Sequence, residues 1–489
     1  MSKLIMGDDR CHLEESDIDF LWTVDAELSF EIQGAEHSNA FKVGWDGTNK
    51  LLNSDDLSFS RGLQPRVEEW YEQHNRELEV IDNRSKKTPV DWYVYPEVIA
   101  KLQARHIVPY PHQIAAVNAI KTHDRGIIRV ATGGGKSIIA ALIIAELSKN
   151  SIVYVIGKDL LYQMHELFEN LFPWVKVGII GDGKCEIGQI NIVSVWTAGC
   201  ALGIDKGKIL YDTEDEAMPE PTKYASIRQA LLDAEVHILD ECHVAACNTI
   251  QEISRNIKPE HIYGMSASPW RDDGADLLIE SVLGRPIVDI PASVLIKQGL
   301  LVKPFIQFRP VPPIDNLPKS FPSIYKKYVV ENDVRNEMIV QAVKEMVAAG
   351  HSTLVLYNSI NHGRILQKEI SKHVRCLSLS GNDSLKLRQD ARRQLVKKEI
   401  DCIVASKIFD LGINIPSLSG LIIAGCGKSS VRALQRIGRV IRRCPQKTKA
   451  VVIDFVDDAA YLEEHAQARR RIYSSEEEFQ VQWSKNVPL

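Results

Sequence analysis

Val130-Ala131-Thr132-Gly133-Gly134-Gly135-Lys136-Ser137 is the stretch on which the reading of this chain turns. An apolar run from Gly126 to Val130 leads into it, and a helical apolar run from Ile138 to Leu147 follows. The order is strand, glycine turn, helix. Such a turn lets backbone N–H groups approach phosphate oxygens, and the positive end of the helix dipole adds to the attraction. Thr132, Gly133, Gly134, Gly135, Lys136 and Ser137 are therefore the nucleotide-binding candidates. Lys136 would reach the β- and γ-phosphates, and Ser137 would hold Mg²⁺. The strict motif has a glycine five residues before its last one, where this chain has Val130. Alone, the stretch also reads as a glycine turn with a surface lysine.

Bulk properties narrow the class. A chain of 489 residues holds two to four domains at ordinary domain size. Hydrophobic residues make up 45% and charged residues 25%, the composition of a globular protein without extreme bias. No apolar run reaches membrane-span length, and the N-terminal Met-Ser-Lys-Leu-Ile-Met-Gly-Asp-Asp-Arg is too acidic for a signal peptide, so the expectation is a cytoplasmic protein with no membrane partner. Nine cysteines without framework spacing fit reduced thiols. Cys242, His243, Cys247 and His237 have no second pair at zinc spacing. The net charge of −5 gives no global basic footprint, which leaves room only for a local basic groove. One window supplies it. Between Asp410 and Asp454 there is no acidic residue, whereas Lys428, Arg432, Arg436, Arg439, Arg442, Arg443, Lys447 and Lys449 all fall there.

The fold class expected is α/β, with two tandem lobes of parallel sheet preceded by a small α+β domain. Residues 1–104 form that first domain, with strands at Leu28–Gln33, Phe41–Val43 and Leu57–Ser60. The Trp45-Asp46-Gly47 turn, helices over Val67–Val80 and Pro96–Arg105, and a polar loop at Asn83–Thr88 complete it. Residues 105–300 alternate strand and helix, with strands at Gly126–Val130, Ile152–Ile156, Val175–Ile180, Ile190–Val195, Val236–Leu239 and Ile262–Met265. Asp212–Pro221 reads as an acidic exposed loop. Gly299–Pro318 reads as a crossing between lobes. Residues 301–472 alternate again, with strands at Thr353–Tyr357, Arg375–Leu379, Cys402–Ala405, Gly420–Ile423 and Lys449–Ile453, and residues 473–489 form a tail.

A P-loop needs an acid at the end of a neighbouring strand to hold its metal. Val236-His-Ile-Leu-Asp240-Glu241 supplies it: the apolar run buries the strand and the acids emerge at its carboxyl end. Asp240 would bind Mg²⁺ through water and Glu241 would polarise the attacking water. Arg436, Arg439 and Arg442 recur every third residue, which predicts one helical face. Arg439 and Arg442 are the candidates to offset charge on the transferred phosphoryl group. If their helix belongs to the second lobe, closure of a cleft couples hydrolysis to lobe motion. Gly425-Cys-Gly-Lys-Ser lacks the leading glycine of a P-loop, and Gly181-Asp182-Gly183-Lys184 reads as a turn.

Asp240-Glu241-Cys242-His243 resembles motif II of the superfamily 2 helicases, and further motifs of that family follow in its order. Tyr110-Pro-His112-Gln113 resembles the Q-type motif, which implies that Gln113 reads adenine. Val155 to Gln163 resembles motif Ia, Val193-Ser-Val-Trp-Thr197 motif Ib, and Ser266-Ala267-Ser268 motif III, implying that Ser266 and Ser268 couple the sites. Leu354 to Asn358 resembles motif IV. Ser406 to Pro416 resembles motif V, which adds Gly412 and Asn414 to the nucleotide set. Gln435-Arg436-Ile-Gly-Arg439-Val-Ile-Arg442 resembles motif VI, which adds Gln435 to the catalytic set with Lys136, Asp240, Glu241, Arg439 and Arg442. By motif position, Lys158, Thr197 and Ser406 would contact a nucleic-acid backbone, with Asn358 and Arg388 as further candidates. Trp270 is either a stacking residue or part of the core.

The short lobes, the Asn361-His362-Gly363 sequence and the Trp45-Asp46-Gly47 turn are similar to the group that contains XPB- and UvsW-type enzymes. That resemblance implies an ATP- and Mg²⁺-dependent motor on branched or forked DNA, active in replication, recombination and repair. It also implies a first domain that grips duplex DNA, a monomeric state and replication or recombination partners. An RNA-directed ATPase and an ATP-gated binding subunit of a larger complex remain the alternatives at this point.

Overall fold

A computed structural model describes the chain apart from residues 1, 33, 86–93, 205–219, 272–273, 315–319, 381–382, 407–414, 416, 426–429, 445–446, 460 and 484–489. The side chains at 37, 221, 385, 430–432 and 435 are likewise outside the description. The chain divides into two compact units, residues 1–130 with 135–289, and residues 131–134 with 290–489.

The first unit begins with strands that the sequence reading left unassigned. β1 (Ser2–Met6) and β2 (Arg10–Glu14) pair antiparallel. After the helix Ile18–Glu27, β3 (Ser29–Glu31) pairs antiparallel with β4 (Thr48–Lys50). β5 (Ser58–Ser60) and β6 (Leu78–Asp82) complete a four-stranded sheet in the order β5-β2-β1-β6. The Trp45–Gly47 turn lies before β4: Asp46 Oδ1 accepts from Thr48 N at 2.9 Å and from Thr48 Oγ1 at 2.7 Å.

Two local expectations give way here. Phe41–Val43 is not a strand, because the helix Asn39–Lys42 covers it and Ser38 Oγ accepts from Phe41 N at 3.1 Å. A serine cap outweighs a short apolar alternation. The helix expected over Val67–Val80 is Gln64–Gln73, and Asn75 at φ 52° ends it. Leu78, Val80 and Ile81 then run as strand β6 beside β1, where branched side chains fit the pleat.

This sheet is fastened to the rest of the first unit. Leu277, from the helix Asp276–Leu283, joins Leu4, Leu13, Phe20, Phe59 and Tyr71 in one core. Arg66 bridges Glu27 and Glu280, the latter at 2.9 Å. Arg61 and Arg84 both pair with Asp124, and Arg285 pairs with Glu69.

The larger sheet of the first unit contains β7 (Arg125–Val130), β8 (Ser151–Val155), β9 (Val177–Gly181), β10 (Lys184–Glu186), β11 (Ile190–Ser194), β12 (Val236–Asp240), β13 (His261–Ser266) and β14 (Pro286–Ile290). Its order is β10-β9-β11-β8-β12-β13-β7-β14. Strands β9 through β7 in that row are parallel, and β10 returns antiparallel on β9. Strands β8, β9, β11 and β12 are buried along their whole length. That is the mark of a parallel sheet covered on both faces.

The second unit has a seven-stranded parallel sheet: β15 (Pro304–Val311), β16 (Ser352–Leu356), β17 (Cys376–Leu379), β18 (Cys402–Ala405), β19 (Leu418–Ile423), β20 (Ala450–Asp457) and β21 (Gln480–Trp483). The order is β17-β18-β16-β19-β20-β15-β21. Both lobes are thus RecA-like α/β layers.

Segments read as connections belong to this second sheet. The expected crossing at Gly299–Pro318 contains β15, paired with β20 on one side and β21 on the other. Its prolines mislead a sequence reading, since Pro304 starts the strand and Pro310 lies beyond the part that β21 covers. The expected tail contributes β21, with Trp483 packed on Phe308. Residues 290–300 group with the second sheet, and Ala292 and Leu295 sit in its core. The acidic segment 212–219, Gly412 and Asn414 lie outside the described residues. Among the described residues, no helix is long and apolar enough to cross a membrane.

Candidate functional site

The glycine turn does what its sequence demands. β7 ends at Val130 and the helix Lys136–Leu147 opens at Lys136, with Gly135 as its N-cap at φ 81°. A left-handed N-cap favours glycine, and space adds a second reason. A Cβ on Gly135 would come within 2.3 Å of Gln113 Nε2. Gln113 is itself buried, and its Oε1 accepts from Tyr110 N at 2.9 Å, which fixes the amide against the turn. The adenine-reading candidate and the phosphate-loop candidate are therefore neighbours. Gly133, at φ 96°, and Gly134, whose N–H donates to Ala131 O at 3.0 Å, shape the preceding turn with Thr132.

The acids arrive from β12. Its five residues are buried, so Asp240 is carried into the interior while Glu241 emerges at the carboxyl end in a left-handed conformation, φ 53°. Such a φ is uncommon for a residue with a Cβ and marks a position fixed by its surroundings. Glu241 Oε1 lies 3.7 Å from Lys136 Nζ. Its Oε2 accepts from Ser266 Oγ at 3.4 Å and lies 3.5 Å from His243 Nδ1. Ser266 Oγ also accepts from Ser268 N at 3.1 Å. One connected set thus joins the lysine of the phosphate loop, the motif II acid and the motif III serines. No spacing in the sequence assigns His243 a role.

Asp240 is poised for a cation. Burial and the neighbouring Glu241 raise its pKa, against the lowering pull of Lys136. Its Oδ1 is buried with no hydrogen-bond partner among the described residues. An orphaned carboxylate oxygen inside a protein carries a large desolvation cost unless a positive charge meets it. With Ser137 half-buried at the start of the helix, the residues fit a hard divalent ion.

The second unit gathers positive charge at its own motifs. The helix Ser430–Val440 carries Arg436 and Arg439, and Arg436 is buried. Arg442 departs from the expected shared face. It lies beyond the helix end, bridged to Leu301, while Val302 N donates to Ile441 O at 2.8 Å. Burial, with Arg439 and Arg392 nearby, pulls the Arg442 pKa down to about 10. Gln435 lies on the same helix, its side chain outside the description.

The nucleic-acid candidates fare unevenly. Lys158 opens the helix Lys158–Leu171 just after β8, and its Nζ lies 2.9 Å from Asp182 Oδ2. Thr197, in the helix Val195–Ala201, is fully buried, so its hydroxyl does not face solvent. The helix turns the side chain inward, which the residue type does not reveal. Asn358 follows β16 and Ser406 follows β18, both at strand carboxyl ends and half-buried. Ser406 N donates to Leu379 O at 3.1 Å. Arg388 is half-buried on the helix Leu385–Val396. Trp270 is partly exposed, at 36%.

Comparison with known proteins agrees with this geometry. Residues 106–271 match the family model described as "Type III restriction enzyme, res subunit", and residues 335–444 match "Helicase conserved C-terminal domain". A curated relative, the ATP-dependent DNA helicase uvsW of Enterobacteria phage T4, is 22% identical over 467 residues, spanning 91% of this chain and 88% of that one. The DNA 3'-5' translocase XPB2 of Sulfurisphaera tokodaii is 23% identical over 426 residues, 78% of this chain and 86% of that one. A protein named as a helicase in Sulfolobus islandicus filamentous virus is 25% identical, and the match spans 70% of this chain but only 62% of the relative's length. In fold, the chain resembles S. cerevisiae Dbp5 bound to RNA and ADP BeF3, with TM-score 0.54, 13% identity, and coverage of 79% of this chain and 92% of that one. With a glycine turn and paired acids on one parallel sheet, arginines on a second, and family models matching both lobes, the chain belongs to superfamily 2 of the ATP-hydrolysing helicases.

Proposed function

We propose that this helicase is an ATP-dependent DNA translocase that remodels branched DNA: reversing forks, migrating junctions and unwinding D-loops or R-loops. The observation that carries the ATP-driven part is the Lys136–Glu241–Ser266 set beside the buried Asp240. The DNA part is supported by the relatives' names and by the near-complete alignment with the phage T4 enzyme.

In this reading Gln113 holds the base and the 131–135 turn holds the phosphates, with Lys136 on the β- and γ-oxygens. Ser137 and Asp240 hold Mg²⁺, which neutralises charge building on the phosphates. Glu241 orients the attacking water and accepts its proton. Ser266 and His243 keep the carboxylate turned toward Lys136. Arg439 and Arg442 provide further positive charge for the transferred group. Phosphoryl transfer is mostly positioning and electrostatics, so this set needs no covalent step.

A panel of labelled fork, four-way junction, R-loop and plain duplex, each with and without ATP, tests the reading. Expected is ATP-dependent displacement on the branched DNA, lost in Lys136→Ala. Binding without displacement would leave only a nucleotide-gated clamp. Stimulation of ATP hydrolysis by RNA and not by DNA would replace DNA with RNA as the track.

A further inference from the structure

Glu476-Glu477-Glu478 lies outside every motif quoted above, in the turn between the helix Leu462–Ser474 and β21. By sequence it reads as a solvated acidic run. In the structure its first member is only 5% exposed. Glu476 Oε2 accepts from Ser293 N at 2.9 Å and from Ser293 Oγ at 2.7 Å, and its Oε1 accepts from Ala292 N at 3.3 Å. Those donors open the helix Ala292–Lys297, whose own N-cap is Pro291, a residue without a capping side chain. A carboxylate at the first N–H groups of a helix satisfies donors that have no partner within the helix, and it meets the positive end of the dipole. Ser293 Oγ in turn accepts from Glu478 N at 3.1 Å. The outer pairs, Lys297 with Glu477 at 2.6 Å and Lys303 with Glu478 at 3.2 Å, are more exposed and contribute little. The buried Glu476 carries the fastening.

The other end of this short helix leads to Arg442. Leu300 N donates to Leu295 O at 2.9 Å and turns the chain back. Leu301 then bridges to Arg442, Val302 N donates to Ile441 O at 2.8 Å, and Arg443 Nη1 donates to Gly299 O. Ala292, Leu295, Leu301 and Ile441 share one core. Arg442 stands past the last residue of the helix Ser430–Val440, and the strap of residues 292–303 is what pairs with its backbone. On the other side Lys447 Nζ donates to Arg442 O at 2.6 Å.

We propose that Glu476 is a positioning residue for Arg442. By capping the helix Ala292–Lys297 it holds the strap, and through the Leu301 bridge it fixes the base from which the Arg442 guanidinium reaches the transferred phosphoryl group. The inference rests on the role given to Arg442 above and adds the element that aims it. Aim matters in a reaction run by positioned charge: a displacement of about 1 Å, caused far from the chemistry, costs up to about 10²-fold in rate.

ATP turnover by the full-length chain with saturating DNA tests this, with kcat and KM read separately. Glu476→Ala is expected to lower kcat about tenfold and to leave KM for ATP within about twofold, because the phosphate loop and Lys136 are untouched. A plain loss of folded protein would also lower kcat, but by the same factor in any background. The double-mutant cycle separates the two: in Arg442→Ala, the Glu476→Ala change is expected to cost less than about twofold. An equal factor in both backgrounds would overturn the positioning role and leave the function reading intact. So would wild-type kcat in Glu476→Ala while Arg442→Ala is slow. Wild-type kcat in Arg442→Ala would remove Arg442 from the reaction and this inference with it. If Glu476→Ala does not fold, Ser293→Ala carries the same cycle. It removes the hydroxyl and keeps the backbone donors, so kcat is expected to fall about threefold alone and not at all in Arg442→Ala, and an equal fall in both would overturn the role.

Discussion

The two lobes share a plan and differ in sign. Each is a mainly parallel sheet with charged residues gathered near the carboxyl ends of its strands. In the first lobe that edge collects a buried carboxylate, Asp240, a second acid, Glu241, and one lysine to meet them. In the second it collects buried cations: Arg436 is 2% exposed, and Arg335 is held by Asp457 at 2.8 Å and Ala424 O at 2.6 Å. The difference shows that one architecture can gather acids in one lobe and guanidinium groups in the other. Among the described residues, the first lobe has a buried acid oxygen, Asp240 Oδ1, with no hydrogen-bond partner. The second stores guanidinium groups, which stay charged even when burial lowers their pKa, as at Arg442.

This contrast can be broken in four ways, from the strongest effect downward. Arg439→Ala should cut ATP turnover about 10³-fold, roughly 4 kcal/mol of transition-state stabilisation, if it acts as the arginine finger. Steady-state turnover with saturating DNA measures this, and a loss below tenfold would remove Arg439 from that role. Next is a structural contrast within the second lobe. Arg469 and Asp454 form a buried pair with bonds of 2.7 and 2.8 Å. Arg469→Ala strands the Asp454 carboxylate and should cost at least about 3 kcal/mol in urea unfolding. On the acid side, Glu241→Gln should slow hydrolysis about 100-fold while ATP and DNA still bind. Wild-type turnover in that variant would refute the assignment of Glu241 as the water-orienting group.

The smallest effect is a pH dependence seated in the second lobe. His362 is fully buried, with Nε2 donating to Asn336 Oδ1 at 2.9 Å. Burial, and then Arg335, push its pKa from 6.5 down to about 3. The unfolded chain therefore binds a proton that the folded chain refuses between those values. Stability is full above pH 6.5 and falls as the pH drops through that window. At pH 5 the loss from this group is about 2 kcal/mol. Comparing unfolding at pH 7 and pH 5 in the wild type and in His362→Gln isolates it: the pH-dependent difference should shrink in the variant.

Legibility followed the range of the interactions. The phosphate loop, the β12 acids and the alternating strands of both lobes were readable because each is a local pattern: an apolar strand, a turn residue, a helix start. Segments whose state is decided by distant partners were not. β1 and β2 are short and mixed in polarity, and they are strands because they pair with each other and with β5 and β6. β15 and β21 were hidden by prolines and by an acidic run, although pairing on the second sheet makes them part of its core. At the site, the types of the residues were legible and their orientation was not. Nothing in Val193-Ser-Val-Trp-Thr197 says that Thr197 points inward. Nothing in Gly181-Asp182-Gly183-Lys184 says that its carboxylate supports a lysine and a tyrosine of the preceding helix.

The fastening of the N-terminal sheet carries a mechanical consequence. Arg61, Arg66, Arg84 and Arg285 tie it to its neighbour at Asp124, Glu280 and Glu69, and Leu277 enters its core. A sheet riveted at several points has no hinge of its own. The small sheet therefore belongs to the same compact unit as Lys136 and Asp240, and whatever it touches is carried as a passenger of that unit.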